Sequence, residues 1–584
     1  MDTASVPFAT IDYAIFGIYL LVIVGLGLWV SQEEEGQEKS SSDYFLASKS
    51  LPFWAIGSSL IAANISAEQF IGMSGSGFRV GLAIASYEWM AAITLLVIAH
   101  FFLPIYLEKE IFTMPQFLEQ RYDGRVRMLL AIFWLLVYVF VNLTSVLYMG
   151  GLSINVIMGF PLGWSIVGLA AIATAYSLYG GLKAVAWTDV VQVVVLVGGG
   201  LLTTWVALDA YGGSGAGPIG GFSKLMGDAG NRFNMILFEG ELMYQNDQGQ
   251  TQDAYQLLPG LSVLFGGLWV ANLFYWGCNQ YIIQRALAAK NLTEAKRGLA
   301  FAGYLKLILP LIVVVPGIVA FALDAPIQRG DEAYPWLLGE YVGSGFRGLA
   351  FAALVAAIIS SLASMMNSAS TIFTMDLYRN YVEKDRSLVG AGTDEDEQAA
   401  AGSPDTPDGG SVDPPDLSAG TGSGDADGGP VSERKLVRIG RTVALICIVV
   451  ATLVAPQLAT LDQVFQYIQE YTGFVSPGVL AIFIMGLFWS KATPNAALVS
   501  AVLSIPLSAA FKFITPEVAF LNRMLIVFFI SVAIIVGLSL WENRGEDHPK
   551  AIELDDVERV PDTVFNVAAF GILGITAALY ALFW

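Results

Sequence analysis

A lysine in the middle of an apolar run is the residue most in need of an explanation. Lys306 lies in the stretch FAGYLKLILPLIVVVPG. An ammonium at the centre of a membrane helix costs roughly 2.5–3.5 kcal/mol on insertion scales, so it needs a partner or a ligand unless it snorkels to an interface. Glu88, in IASYEWMAAITL, is the acid that can face Lys306 or, beside it, a polar ligand. Gln69, Asn272 and Gln469 bring amide groups that both donate and accept, and Tyr87, Tyr275 and Trp276 bring aromatic faces with polar rims. One acid, one base, several amides and aromatic stacking together suit a neutral polyol. A carboxylate ligand would call for an arginine, and none is expected inside these spans.

A second group of residues suits a cation. In ALVAAIISSLASMMNSAS, residues 353–370, five serines decorate an alanine-rich helix. Small residues let membrane helices pack closely, and most such serines bond their own i−4 carbonyl. The adjacent hydroxyls of Ser360 and Ser361 nevertheless follow the Ala357 carbonyl by one turn. They could meet carbonyls freed at Ala62 and Ile65, three residues apart in IAANISAEQFIGMSGSG, residues 61–77. That stretch is too polar and too rich in glycine for an ordinary span, and is expected to be two half-helices around a break. Five neutral oxygens would hold sodium weakly and reversibly, as a coupling ion requires. Glu68, in the same stretch, is expected to make an interhelical hydrogen bond.

The elements that must carry these groups are membrane helices. Of 584 residues, 55% are hydrophobic and 14% charged, about half the charge of a soluble domain. Apolar windows long enough to cross a bilayer recur from end to end, beginning near residues 11, 52, 82, 129, 162, 187, 261, 299, 347, 439, 463, 492, 522 and 563. The chain is therefore read as an all-α polytopic membrane protein of about 14 transmembrane helices. A second unusual span, GGLWVANLFYWGCNQYIIQR at 266–285, mixes amides and glycines into aromatics. If the helix near 52 opens one set of five and the helix near 261 the next, the two sets face opposite ways. Discontinuous first helices in two inverted repeats mark a transport site near the midplane.

This divides the chain into an extra N-terminal helix and loop (1–51), repeat one (52–208), an extracellular loop (209–260), repeat two (261–488) and three further helices (489–584). The outer loop is expected to fold as short helices. Residues 387–433, acidic and rich in Gly, Pro and Ser, are expected to be a disordered cytoplasmic linker. Most of the 30 basic residues fall on the inside when both termini are placed outside, and Arg285 is counted among those inner-loop charges. The net charge of −20 fits a surface adapted to high salt, as in a halophile. Cys278 and Cys447 lie in spans and build no disulfide framework. His100 and His548 are far apart and no phosphate loop is present, so an enzyme is not expected, nor a nucleic-acid binder.

The motifs ISAEQFIGMSGSG, LYGGLKAVAWTDVVQ, GLWVANLFYWGCNQYIIQR, LVAAIISSLASMMNSASTIFTMDLY and FQYIQEYTGFVSPG together resemble the solute:sodium symporter family, in its sodium/glucose–galactose branch. The likeness runs from about residue 10 to the end and breaks at the acidic linker. It implies a LeuT-like core and sodium-coupled import of a hexose by alternating access, in a cell (plasma) membrane protein that is a monomer or weak oligomer. It implies sodium ligands at Ala62, Ile65, Ala357, Ser360 and Ser361, and sugar contacts at Gln69, Glu88, Asn272, Lys306 and Gln469. It further implies an inner gate at Tyr275 beside Trp276, and an outer gate of Met73, Tyr87 and Phe465. Asp189 is similar to an acid on the sodium exit route and with Ser364 could make a second sodium site. Ala91 stands where the family's galactose symporter has a serine, which removes one hydroxyl contact. A non-sugar solute of the proline, pantothenate or sialic acid type is the alternative cargo.

Overall fold

A computed structural model describes residues 8–30, 49–111, 113–246, 249–379, 433–460, 464–554, 557 and 560–584, without side chains at 24, 28, 176–184, 433 and 434. The loop 31–48 and, Glu433 apart, the expected linker 387–433 lie outside the described residues. After α1 (Thr10–Val30) comes α2 (Phe53–Asn64), which stops where Ile65 turns extended at φ −74°, ψ 96°. The chain resumes helically as a π-turn over Glu68–Met73 and runs into α3 (Ser74–Val80). The break expected in 61–77 is thus at Ile65–Ser66. Then follow α4 (Ser86–Val97), α5 (Leu103–Glu108), α6 (Met114–Arg121), α7 (Gly124–Val137) and α8 (Thr144–Met158).

Next, α9 (Leu162–Gly212) is helical throughout. Its 51 residues would extend about 77 Å if straight, well over twice a hydrocarbon core, so its two apolar stretches, Leu162–Ala175 and Val185–Gly212, stand for the two crossings expected there. The outer loop carries α10 (Gly217–Asp228) and, unforeseen, an antiparallel hairpin of β1 (Met243–Gln245) and β2 (Thr251–Asp253).

The second unusual span is broken twice. α11 (Leu261–Phe265) meets α12 (Gly267–Leu273) at Gly266, where the axis turns by 78°. A π-turn over Phe274–Cys278 then ends at Asn279, extended at φ −90°, ψ 118°, before α13 (Gln280–Leu287). The long α14 (Leu292–Ala322), the short α15 (Ala333–Tyr341) and α16 (Phe346–Thr371) complete this half with α17 (Glu433–Val454), α18 (Val464–Thr472) and α19 (Ser476–Phe488), the last two bent by 46°. The peripheral α20 (Pro494–Ile514), α21 (Phe520–Asn543) and α22 (Thr563–Leu582) end the chain.

Among the described residues ten helices are long and apolar enough to cross a membrane, or twelve with each bent pair taken as one. The sequence reading of about 14 counted two more, near 52 and 162. Near 52 the apolar helix Phe53–Asn64 is too short, at about 1.5 Å per residue, to span some 30 Å alone, and near 162 the stretch Leu162–Ala175 is only the first part of the continuous helix α9. Burial separates core from rim. The span Phe346–Tyr378 is 94% buried over its most apolar window and Thr563–Leu582 only 22%, as expected of a helix that faces lipid. Polar and broken elements sit in the middle, where α2 packs against α9, α13, α14 and α16.

Buried charges fasten the rim to this core. Asp12 accepts hydrogen bonds from the backbone of Ala9, Gly345 and Gly348 and pairs with Arg347 at 3.2 Å, tying α1 to the start of α16. Asp562 caps α22 and binds Arg297 of α14 through both oxygens at 2.8 and 3.0 Å; that guanidinium holds its carboxyl below the usual carboxylate range. Arg121, 1% exposed, donates to the carbonyls of Gly486, Trp489 and Ala492 at 2.9–3.1 Å and to Ser490 at 3.3 Å, closing the C-terminal end of α19. Replacing it with alanine would strip donors from several helix-end carbonyls at once. Arg121→Ala is therefore expected to destabilise the detergent-solubilised protein by about 2–4 kcal/mol. Thermal unfolding measures this, and a midpoint equal to that of the parent protein would refute it.

Candidate substrate and cation site

The break at Ile65–Ser66 needs local partners before it can serve anything else. Gln69 supplies one, its side-chain oxygen accepting from the Ser66 N–H at 3.1 Å, and the Ser66 hydroxyl accepts from the Glu68 N–H at 3.2 Å. The lower break at Asn279 is held by Tyr138, whose hydroxyl donates to the Asn279 side-chain oxygen at 2.5 Å and accepts from the Tyr281 N–H at 3.3 Å. These contacts hold both unwound segments against protein, where main-chain groups can be satisfied.

Between the breaks lies a cavity of about 50 Å³, lined by Asn64, Glu68, Gln69, Met73, Tyr87, Glu88, Ala91, Ala271, Asn272, Tyr275, Trp276, Lys306, Phe465 and Gln469. Every residue expected to bind or gate a sugar is on its wall. Lys306, 1% exposed, pairs with Glu88 and donates to the side-chain oxygen of Asn64, and its ammonium sits 4.9 Å from the centre of the Trp276 ring. Trp89 fastens α4 to α14 beside this pair by donating to the Leu307 carbonyl at 3.2 Å. Asn64 also donates to the Tyr275 hydroxyl at 3.0 Å, and Tyr281 donates to the same oxygen at 2.7 Å. Tyr275 and Trp276 meet edge to face at 5.2 Å.

On the other side Tyr87 and Phe465 meet edge to face at 5.5 Å, with Met73 buried next to them. A Cβ on Gly72 would come within 2.7 Å of the Phe465 Cβ, so glycine at 72 is what lets the π-turn over Glu68–Met73 approach α18 there. Between the Tyr275–Trp276 and Tyr87–Phe465 pairs room for only a few waters remains. The Nδ2 of Asn272 and the hydroxyl of Tyr87 are buried without a partner among the described residues, so donors are already turned toward the cavity wall.

Of the residues expected to hold a cation, Ser361 and Ala62 meet where α2 and α16 pack together. The Ser361 hydroxyl lies 3.4 and 3.3 Å from the carbonyl oxygens of Ala62 and Ala63. Ala357 and Ile65 are fully buried on the same two elements. Ser360 instead donates to Asp189 on α9, which also accepts from Ser59 at 2.5 Å. Ser364 bonds its own i−4 carbonyl at Ser360, as membrane serines commonly do.

Two expectations need correction. Arg285, counted as an inner-loop charge, is fully buried: it donates to the Ser59 carbonyl and hydroxyl at 3.0 and 2.9 Å and to the Ser364 hydroxyl at 2.5 Å, and lies 3.9 Å from Asp189. An arginine therefore does enter these spans, but beside Asp189 and outside the residues lining the cavity. Its place on α13, one turn past Tyr281 and beside the buried Gln284, was the available clue. The interhelical hydrogen bond expected of Glu68 is not made by its Oε1, which has no partner among the described residues. Asn64, Ser59 and Tyr281 are site members that the sequence did not single out; Asn64 and Ser59 lie on the same α2 helix that ends at the break. Cys278 and Cys447 are free and buried, as expected.

Comparison with known proteins places the whole chain in a family. The sequence model of the Sodium:solute symporter family matches residues 44–390 and 429–504. A sodium/glucose cotransporter of Vibrio parahaemolyticus is 47% identical over 98% of this chain and 98% of its own. The sodium/myo-inositol cotransporter 2 of Oryctolagus cuniculus is 31% identical over 85% of this chain and 68% of its own. Among solved structures, a Na+-coupled sialic acid symporter in a substrate-bound outward-open state superposes with a TM-score of 0.71 at 20% identity, covering 91% of this chain and 98% of the other. A nucleobase-cation-symport-1 family transporter in a closed conformation gives 0.52 at 13%, covering 88% and 98%. The fold is that of sodium-coupled transporters with a LeuT-like core, and the chain belongs to the sodium:solute symporter family.

Proposed function

We propose that the protein imports a hexose of the glucose or galactose type together with sodium, by alternating access. The single observation that carries this reading is the cavity wall, where one acid, one base, amides and aromatic rings surround a space walled off by two aromatic gates. The cotransporter of Vibrio parahaemolyticus, similar over nearly the whole chain, supports the same cargo.

Sodium enters as co-substrate between the two crossing helices, on carbonyls of Ala62, Ile65 and Ala357 and hydroxyls of Ser360 and Ser361. Asp189, with Ser364, lies along its way inward. Filling that position steadies the broken helix α2 in the arrangement that leaves the pocket open outward. The sugar then draws Lys306 and Glu88 from each other, takes donors from Gln69, Asn272 and Gln469, and stacks on Tyr275 beside Trp276. Met73, Tyr87 and Phe465 close above it. Rocking of the inverted repeats, 52–208 against 261–488, and withdrawal of Tyr275 release both solutes inward. Residues 1–51, the loop 209–260 and the helices of 489–584 surround this core.

Coupling requires only that the co-substrate favour one arrangement over the other. A membrane potential of about 100 mV and a tenfold sodium gradient together supply roughly 3.7 kcal/mol, enough for several-hundredfold accumulation at one sodium per sugar. The distribution of basic residues favours both termini outside the cell, in a plasma membrane protein that acts as a monomer or weak oligomer.

Labelled glucose and galactose uptake into proteoliposomes, with and without an inward sodium gradient, tests the reading; uptake indifferent to sodium would overturn it. Lys306→Ala leaves Glu88 without its buried partner and is expected to reduce sodium-driven uptake at least tenfold, with a correctly folded protein by gel filtration. Unchanged uptake would remove Lys306 from the pocket's function. In Ser361→Ala, half-maximal uptake should need about tenfold more sodium, the loss of one ligand worth some 1.4 kcal/mol. Sodium titration of uptake measures this, and an unshifted curve would refute the cation site.

A further inference from the structure

Glu68 is the pocket carboxylate with no cation set against it. It is 5% exposed, lines the cavity, and its Oε1 meets no hydrogen-bond donor among the described residues. The ammonium of Lys306 is committed to Glu88 and Asn64 and to the face of Trp276. The other polar groups on the wall, Gln69, Asn272, Gln469, Tyr87 and Tyr275, are neutral. Lys306 and Glu88 cancel each other, which leaves Glu68 as the wall's one unbalanced acid, whose carboxylate is favoured once a ligand brings a cation to it. A lone carboxylate is strongly disfavoured in a dry cavity unless a cation joins it. The same charge repels an anion brought beside it, which makes it a device for choosing among ligands of one shape.

We propose that Glu68 lets this pocket accept protonated amino sugars, its carboxylate taking the ammonium of a 2-amino-2-deoxyhexose, while it excludes hexuronates and other anionic sugars. Exchange of a hydroxyl for an ammonium barely alters ligand volume, so the aromatic stacking and amide contacts of a hexose are retained. The unpartnered Oε1 then gains a charge-assisted hydrogen bond that a hydroxyl cannot equal. This rests on the hexose reading and deepens it.

The test uses the full-length protein in proteoliposomes at neutral pH, where a sugar amine is still largely protonated and the buried carboxyl of Glu68 is not held neutral by excess acid. Glucosamine, glucuronate and N-acetylglucosamine compete against sodium-driven uptake of labelled glucose, and labelled glucosamine uptake is followed directly. Glucosamine should compete within about threefold of unlabelled glucose and glucuronate at least tenfold more weakly, a difference of about 1.4 kcal/mol. In Glu68→Gln the ratio of half-maximal glucosamine to half-maximal glucose should rise about tenfold, and in Glu68→Asp, which keeps the charge, it should stay near the parent value. Glucosamine that neither competes nor enters, glucuronate that competes as well as glucosamine, or an unmoved ratio in Glu68→Gln would each overturn the proposal. The wild-type competition decides it even where a variant fails to fold. Glucose uptake that ignores sodium would instead strike the proposed function and leave the charge selectivity to be read from competition alone.

Discussion

A helix that breaks in the middle of a membrane frees backbone groups that lipid cannot solvate, and much of this structure is arranged around two such breaks. At Ile65–Ser66 the freed groups are met by Gln69 and by the hydroxyl of Ser361 on α16. At Asn279 they are met by Tyr138. These requirements explain why the polar elements are central and the uniformly apolar ones peripheral. They also explain why serine, asparagine and tyrosine are spent in places where leucine would pack as well. A site for small polar solutes arises in the same place because the groups that stabilise an unwound segment are the groups that can hold a ligand.

Charge is handled by the same economy of position. Lys306 and Glu88 come from α14 and α4, which are far apart in sequence, and each makes the other tolerable at depth. Asp189 and Arg285 form a second arrangement nearer the end of α13, fastened through Ser59, Ser360 and Ser364. The two clusters adjoin the same broken helix. A rearrangement of α2 therefore alters the surroundings of both, and this is the physical basis on which one solute can influence the other.

Much of this was legible in the sequence. Lys306 stands out because a charge in an apolar run is costly, and the first break because glycines and amides crowd one span. The cavity wall, Asn64 and Ala271 apart, was reached from such residues and from the family resemblance. The helix count was less legible, since periodicity cannot tell a crossing from a half-helix: α2 has only twelve residues and α9 runs through two crossings without a stop. Arg285 was misplaced because it follows the last apolar residues of its span, and only packing shows that α13 carries it inward. Asn64 was not singled out because its importance lies in two partners, Lys306 and Tyr275, that are distant in sequence. The hairpin of residues 243–253 is short, exposed on alternate residues, and without the apolar alternation that would have signalled strands.

Asn64 gives this arrangement a form of logic. Its oxygen accepts from the ammonium of Lys306, and its nitrogen donates to the hydroxyl of Tyr275, so one amide joins two sides of the cavity wall. An amide has one acceptor and one donor end, so drawing the ammonium off its oxygen also frees the side chain that holds the Tyr275 hydroxyl. A change at the Lys306 end of the pocket is therefore felt at Tyr275 through one side chain, whatever else touches that ring.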